Sequence, residues 1–486
     1  MKNLFAWMLA LCLLMTCAAA ESETAIFLSD STVTVNGNAI STDPTLPVYL
    51  AYVNETHEDV PRELETLHNR VITLTAPGSY RISGTATDVQ LAVKAGSTDS
   101  VRLILDNANL TCRTAPAIAV YSAKDPRTAG EYGVTIELSS GSANFITGSH
   151  TDPQTDSEPE FDGAIDSLVS LGFEGTGSLT VDADNEGIEV AYGHLTINGG
   201  TFHITACDDP LNVSEDGFGV LTMNDGYVFS SVKPLPGGEG DGIDSNGYIV
   251  FNGGTAINLA HPDSMDGGID SDMGSSVNGG VIVGAGNMYD PIEADSAQLF
   301  MMLEFSESTD QLVVVTDEND VPVFAYDFPH DYMYVAFSSP ALEEGKTYRV
   351  YLGGEIEGEA RNGLYESIVR YTPGVRMQHG AGSAQQRGFA MPDGMQPPEG
   401  ADFGNPPELP DGTVFGRHPQ PPEGADFGNL PELPDGMDFG DMPKPPEGGR
   451  GFSPFGMESS ADVATADFIL TRESTGFTNV SAMQAE

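Results

Sequence analysis

The chain has 486 residues and carries 20 Lys and Arg against 72 Asp and Glu, a formal charge of -52. That balance leaves no basic footprint for phosphates, which excludes nucleic acid and anionic lipid as partners and favours cations. A hydrophobic fraction of 40% can fill a core, and the length allows two or three domains.

Residues 1–20 read as a signal peptide, with Lys2 at the positive end, an apolar run from Leu4 to Met15 and small residues at Ala18 to Ala20. The expected destination is secretion or the cell surface. Acylation of Cys17 would add a lipid anchor; no later segment is apolar enough to insert in a membrane. Beyond the leader only Cys112 and Cys207 remain, too few for a disulfide framework, and both read as small buried side chains. Residues 21–70 form an N-terminal cap region. There Val33-Thr34-Val35 before Asn36-Gly37 signals a hairpin, and 61–69 is compatible with a short helix.

From residue 71 to 290 short β-branched runs stop at Gly, Asn or Asp. Between 180 and 290 they fall into one repeated phrase. One turn reads Asn198-Gly199-Gly200, Asn224-Asp225-Gly226, Asn252-Gly253-Gly254 and Asn278-Gly279-Gly280, at spacings of 26, 28 and 26. A second, acidic turn runs from Asp184 to Ile188, Asp208 to Leu211, Asp241 to Asp244 and Asp266 to Asp270. Such a period predicts an all-β solenoid of parallel strands, each rung ~4.8 Å above the last. Alternation then turns Leu195, Ile197, Leu221, Met223, Ile249 and Phe251 inward, with Phe202, Val228, Ala256 and Ile282 beyond the turn. Ile165, Ile188, Leu211, Ile243 and Ile269 form a further inward stack.

Residues 291–376 change grammar, with strand-like runs at 312–315, 321–323, 332–337 and 347–352, and predict a small antiparallel β domain at the end of the solenoid. Residues 377–460 repeat Pro-Pro-Glu-Gly-Ala-Asp-Phe-Gly-Asn and predict a disordered Pro/Gly-rich acidic insertion. Residues 461–486 regain strand character at Asp467 to Thr471 and are expected to return to the small β domain.

The stacked acidic turns gather carboxylates beside exposed Gly carbonyls. Asp184, Glu186, Asp208, Asp209, Asp241, Asp244, Asp266 and Asp270 are candidate ligands for Ca2+, which takes six to eight oxygens. Asp and Gly also simply make good turns, with carboxylates capping local N–H groups. Tyr192, Tyr227, Phe229 and Tyr248 are candidate carbohydrate-stacking residues on outward positions, although such aromatics also serve cross-strand packing. The sole tryptophan, Trp7, is in the leader. His194 and His203 lack metal-ligand partners at suitable spacing. Asp208-Asp209 makes a poor acid and nucleophile pair, since neighbours on a strand point to opposite faces. Lys233 is the only Lys or Arg from 128 to 345, which leaves a lyase without an obvious base.

The stretches from Pro77 to Thr85, Gly177 to Val181, Asp184 to Ile188, His194 to Thr201, Asp241 to Ile249 and Gly345 to Tyr351 resemble, in order, bacterial exported carbohydrate-binding domain-containing proteins. The resemblance implies a right-handed parallel β-helix of pectate-lyase-like shape. It also implies calcium at Asp-lined turns and polysaccharide as partner, with pectic or cellulose-like ligands. Two departures stand out: Asp208-Asp209-Pro210-Leu211 in place of Asp-Asp-Gly-Ile, and Asn224-Asp225-Gly226 in place of Asn-Gly-Gly. The expected protein is a non-catalytic, monomeric carbohydrate binder. A polysaccharide lyase or hydrolase, and a structural surface spacer, are the alternatives.

Overall fold

A computed structural model describes residues 23–53, 69–151, 160–293, 295–380, 383–384, 464–472 and 474–483. All of them fall in one of the chain's two compact units, Met1–Ala390 with Val463–Glu486. The expected signal peptide, residues 61–68 of the expected short helix and nearly all of the acidic insertion lie outside the described residues. Asn69, at the edge of that helix, opens a strand instead, Asn69–Leu74.

Residues 69–286 form three parallel ladders. The first joins Val134–Leu138, Leu171–Gly175, His194–Ile197, Val220–Met223, Tyr248–Phe251 and Ser275–Val277. The second joins Ala143–Gly148, Ser178–Ala183, Thr201–Ala206, Tyr227–Val232, Thr255–Leu259 and Val281–Gly286. The third joins Asn69–Leu74, Val89–Lys94, Ile118–Ser122, Gly163–Ser167, Glu186–Val190, Leu211–Val213 and Asp244–Ser245. The chain visits them in rotation, one strand of each per repeat. The Asn-Gly-Gly turn passes it from the first to the second, and the acidic turn from the second to the third.

Register follows from burial. Leu171, Leu195, Leu221 and Ile249 pair in sequence along the first ladder, and all are fully buried. Along the third, Ile72, Leu91, Ile118, Ile165, Ile188 and Leu211 are partners rung by rung, an apolar column that Ile243 and Ile269 extend. A one-residue slip would turn every such side chain out to water, which pins the pairing. At the Asn turns the amides form their own column. Asn224 Nδ2 donates to Asn198 Oδ1 at 2.7 Å, Asn252 to Asn224 at 2.8 Å, and Asn278 to Asn252 at 2.9 Å. Gly200, Gly226, Gly254 and Gly280 all hold positive φ, between 80° and 104°. The Asn and the last Gly are therefore the constant members of the turn, and Asp225 is tolerated between them.

The ends are covered. Val48–Val53 pairs antiparallel with Asn69–Leu74, and Thr24–Leu28 lies parallel to Gly78–Thr87. The expected hairpin pairs Val33–Val35 with Asn38–Ala39 across Asn36 and Gly37, both at positive φ. At the other end Tyr332–Ser338 pairs antiparallel with Val281–Gly286. Residues 300–378 are largely antiparallel, and their longest feature escaped the sequence reading: Thr347–Arg361 and Leu364–Gln378 form a hairpin about Asn362-Gly363. Phe468–Ile469 pairs with Thr347–Arg361, and Gly476–Ala482 lies parallel to Phe300–Thr309.

The C-terminal region does more than sit at the end of the ladders. Its Phe305, Phe324, Tyr326, Phe328 and Tyr332 share one apolar cluster with Tyr227, Ile257, Leu259 and Val283 from the outer face of the second ladder. That face is thus covered by protein.

Candidate metal centre

The last acidic turns come together along one edge of the third ladder. From Ile165 onward each residue of the apolar column is followed by a polar one: Asp166 after Ile165, Glu189 after Ile188, Asn212 after Leu211, Asp244 after Ile243, Asp270 after Ile269. Register sets Asp166 beside Glu189, Glu189 beside Asn212, and Asn212 beside Asp244. Alternation sends this row to the side opposite the column. Small residues let the turns approach the second ladder. A Cβ at Gly242 would lie 2.6 Å from Asn258 C, and one at Gly268 would lie 2.1 Å from Ala285 N.

At the lower end Asp241, Asp244 and Asp270 bring three carboxylate oxygens within 4.8 Å of one another. Oxygens at 2.3–2.6 Å from a common calcium lie at most ~5 Å apart, so the triad fits such an ion. Main-chain donors aim the surrounding carboxylates. Asp209 Oδ1 accepts from Asp241 N at 2.6 Å, Asp241 Oδ1 from Gly267 N at 2.5 Å, and Asp266 Oδ2 from Gly240 N at 2.7 Å. Asp290, which sequence reasoning missed, lies against Asp270 and accepts from Ser271 N at 3.0 Å.

Burial and crowding hold these groups far from ordinary carboxylates. Desolvation, then the charges of Asp270 and Asp209, pushes Asp241 up to about 9. Asp270 rises to about 8 through burial and the adjoining Asp290, and Asp244 to about 7, chiefly through burial. Asp208 rises to about 6, and Asp209 well above its usual value, both mainly by desolvation. Among the described residues none of these carboxylates makes an ion pair with Lys, Arg or His. Lys233, the one nearby cation in sequence, is held by Asp182 at 2.5 Å and by the Ala183 carbonyl at 2.6 Å.

The other candidate ligands are placed differently. Asp184 stands apart: burial raises its pKa, but hydrogen bonds from His150 and Ser149 outweigh it and hold the group below its ordinary value. It ties down residues 149–150. Glu186 is buried at the upper end of the row, where Asn212 Nδ2 donates to its Oε1 at 2.7 Å. Pro210 keeps the backbone pattern despite its missing donor, because its carbonyl accepts from Ile188 N at 3.0 Å.

Of the aromatics, Tyr192 alone is open, at 52% exposure. Tyr227 points out of the ladder as expected but is 7% exposed, with the Arg361 guanidinium 3.4 Å from its ring centroid. Phe229 is half-buried and stacked on His203 at 4.8 Å. These two are corrected from sugar platforms to packing residues, for the C-terminal region covers the face they were expected to present. Tyr248 is half-buried and its hydroxyl bonds Glu293. Cys112 is buried and Cys207 half-buried, and neither is in a disulfide.

Residues 68–298 match the profile of a family described as "Carbohydrate-binding domain-containing protein". A protein of that description from Acetivibrio thermocellus is 33% identical over 146 residues, 29% of this chain and 47% of the relative. The chain thus spans about half the length of the curated relative it matches. A solved structure of a polysaccharide lyase-like protein from C. thermocellum, a gadolinium derivative, aligns over 54% of this chain and 94% of its own. That alignment has 23% identity and a TM-score of 0.36. Through residues 68–298, just under half of its length, the chain is similar to the carbohydrate-binding domain-containing protein family.

Proposed function

We propose that this is an exported, non-catalytic polysaccharide-binding protein whose three ladders form a right-handed parallel β-helix stabilised by calcium at the acidic turns. The observation that carries the reading is the convergence of Asp241, Asp244 and Asp270 with no described cationic side chain to neutralise them. Three crowded carboxylates repel one another, and a dication removes that repulsion. Calcium suits an all-oxygen set better than zinc or copper, which favour nitrogen and sulfur. A calcium held at the edge of the coil has ligand positions left for sugar oxygens, including the carboxylates of pectic chains. Tyr192 supplies an exposed ring for the apolar face of a sugar.

Among the described residues, the engagement of Lys233 and Arg361 elsewhere speaks against a lyase. Lys233 is engaged with Asp182 and Ala183, and Arg361 lies on Tyr227, on the covered face of the second ladder. Abstraction of a proton beside a uronate carboxylate needs a group in reach of it. Gel retardation in polygalacturonate and pull-down on cellulose, each with and without chelator, test the reading. Retention that chelation abolishes and calcium restores is expected. Release of unsaturated uronate would overturn the non-catalytic assignment, and passage through both matrices unretarded would overturn binding.

A further inference from the structure

The first rung of the coil carries polar chemistry that the acidic turns do not use. Leu50, Ile72 and Leu91 are partners across the cap strand and the first two strands of the third ladder, in the inward column. Two residues back along Asn69–Leu74 the same side reads Tyr52, Arg70 and Val89. Val89 is fully buried, but Tyr52, on the cap strand, is 62% exposed. A ring whose alternation is that of the core therefore stands open to solvent. Beside it lies a cleft of about 600 Å³, lined by Asp30, Tyr52, Arg70, Thr87 and Asp88. Small-molecule sites run from roughly 300 to 1,000 Å³.

The polar walls are fixed before any ligand arrives. Arg70 Nη1 donates to the Ser29 carbonyl at 2.9 Å and the Asp30 carbonyl at 3.1 Å, and Nη2 donates to the Thr87 carbonyl at 2.9 Å. Asp30 Oδ1 accepts from Thr87 N at 2.8 Å. Arg113, one rung on, grips both oxygens of Asp88, at 2.9 Å and 2.8 Å.

We propose that this cleft is a glycan site for single, neutral, gluco-configured chains, separate from the acidic edge and independent of calcium. The inference rests on the polysaccharide-binding reading but not on its cation. A pyranose with equatorial hydroxyls has a flat C–H face that lies on an aromatic ring. Vicinal hydroxyls at its rim donate to a carboxylate, and Asp30 has Oδ2 left for them. Asp30 and Asp88 balance Arg70 and Arg113, so the cleft has no surplus positive charge to draw a uronate. The chain's formal charge of -52 repels one. A concave cleft admits one chain and not the flat face of a cellulose crystal, so insoluble cellulose does not report on it.

Affinity electrophoresis of the full chain in soluble mixed-linkage β-glucan, with chelator present, tests the site. Retardation is expected for wild type and for Tyr52→Phe, which keeps the ring. Tyr52→Ala should bind about tenfold more weakly. Asp30→Asn, which keeps an oxygen for Thr87 N but loses the charge, should weaken retention likewise. Circular dichroism checks each fold, and all three variants should match wild type in polygalacturonate with calcium. If Tyr52→Ala and Asp30→Asn bind the β-glucan like wild type, the cleft fails while polysaccharide binding stands. The same holds if wild type runs free in β-glucan but is retarded by polygalacturonate. Retardation in β-glucan that chelator abolishes, or equal losses by the variants in both gels, would also overturn the proposal. If neither gel retards the wild type, the cleft and the polysaccharide-binding reading fall together.

Discussion

Asp241 concentrates the energetics of the site. Its side chain is largely withdrawn from water, faces Asp270 and Asp209, and is answered by a single main-chain donor, Gly267 N. A carboxylate so placed takes up either a proton or a metal ion. Asp241→Asn mimics the protonated form, so the melting temperature of the metal-free protein at pH 7 should hold or rise slightly. The rise that calcium produces in wild type should be largely lost, as scanning calorimetry will read. Tyr192→Ala should weaken polysaccharide retention on affinity gels while changing stability by less than ~0.5 kcal/mol, because the ring is exposed. At this scale the sequence was half legible. The acids at the start of each turn were visible, but Asp166 and Glu189 were passed over although each follows a residue of the inward column, Ile165 or Ile188. Alternation alone places them in the same row as Asp244. Asp290 was not readable, since only the isolated strand contacts after the last full rung bring it to Asp270.

Strands and turns were the most legible elements, because one physical rule served at every rung. Burying Ile188 between Ile165 and Leu211 fixes which side of the strand faces in, and the last Gly of the Asn turn fixes where the chain bends. Ile188→Ala should cost about 2–5 kcal/mol, since neighbours locked above and below cannot collapse into the gap; denaturant melts will measure it. Asn252 both donates to Asn224 and accepts from Asn278, and it is exposed. Asn252→Ala should therefore cost only about 1 kcal/mol, near the net worth of one hydrogen bond. The hairpin of Thr347–Arg361 and Leu364–Gln378 was missed although Asn362-Gly363 carries the signal of a tight turn. Its strands are mostly exposed on both faces and lack the alternation on which the reading relied.

For the whole molecule the decisive fact is that the outer faces are not equivalent. The second ladder is covered by the C-terminal region, which buries Tyr227 and leaves Phe229 half-buried against His203. The edge of the third ladder keeps its carboxylates together. Long-range packing of this kind leaves no trace in the spacing of a repeat, whereas the acidic turns repeat with its period and could be read from it. Truncation before residue 464 would strip Phe468, Leu470, Phe477 and Val480 from that cover. Stronger binding of a hydrophobic dye and a lowered melting temperature are expected.

The acidic row also gives the molecule a charge-linked stability. Asp208, Asp244, Asp270 and Asp241 hold protons in the folded chain up to about 6, 7, 8 and 9, whereas the ordinary value is 3.8. Between these limits the metal-free folded state binds more protons than the unfolded one. Stability therefore falls as pH rises through the window, and below about pH 4 these groups contribute no slope. A cation that replaces the protons cancels the loss. The melting temperature of metal-stripped protein, followed from pH 5 to pH 8 with and without calcium, is the most direct test. A fall of several degrees without calcium, abolished by its addition, is the expected result. A melting temperature that does not fall over that range, or that calcium leaves unchanged at pH 8, would contradict the stacking of these turns into a cation-binding edge.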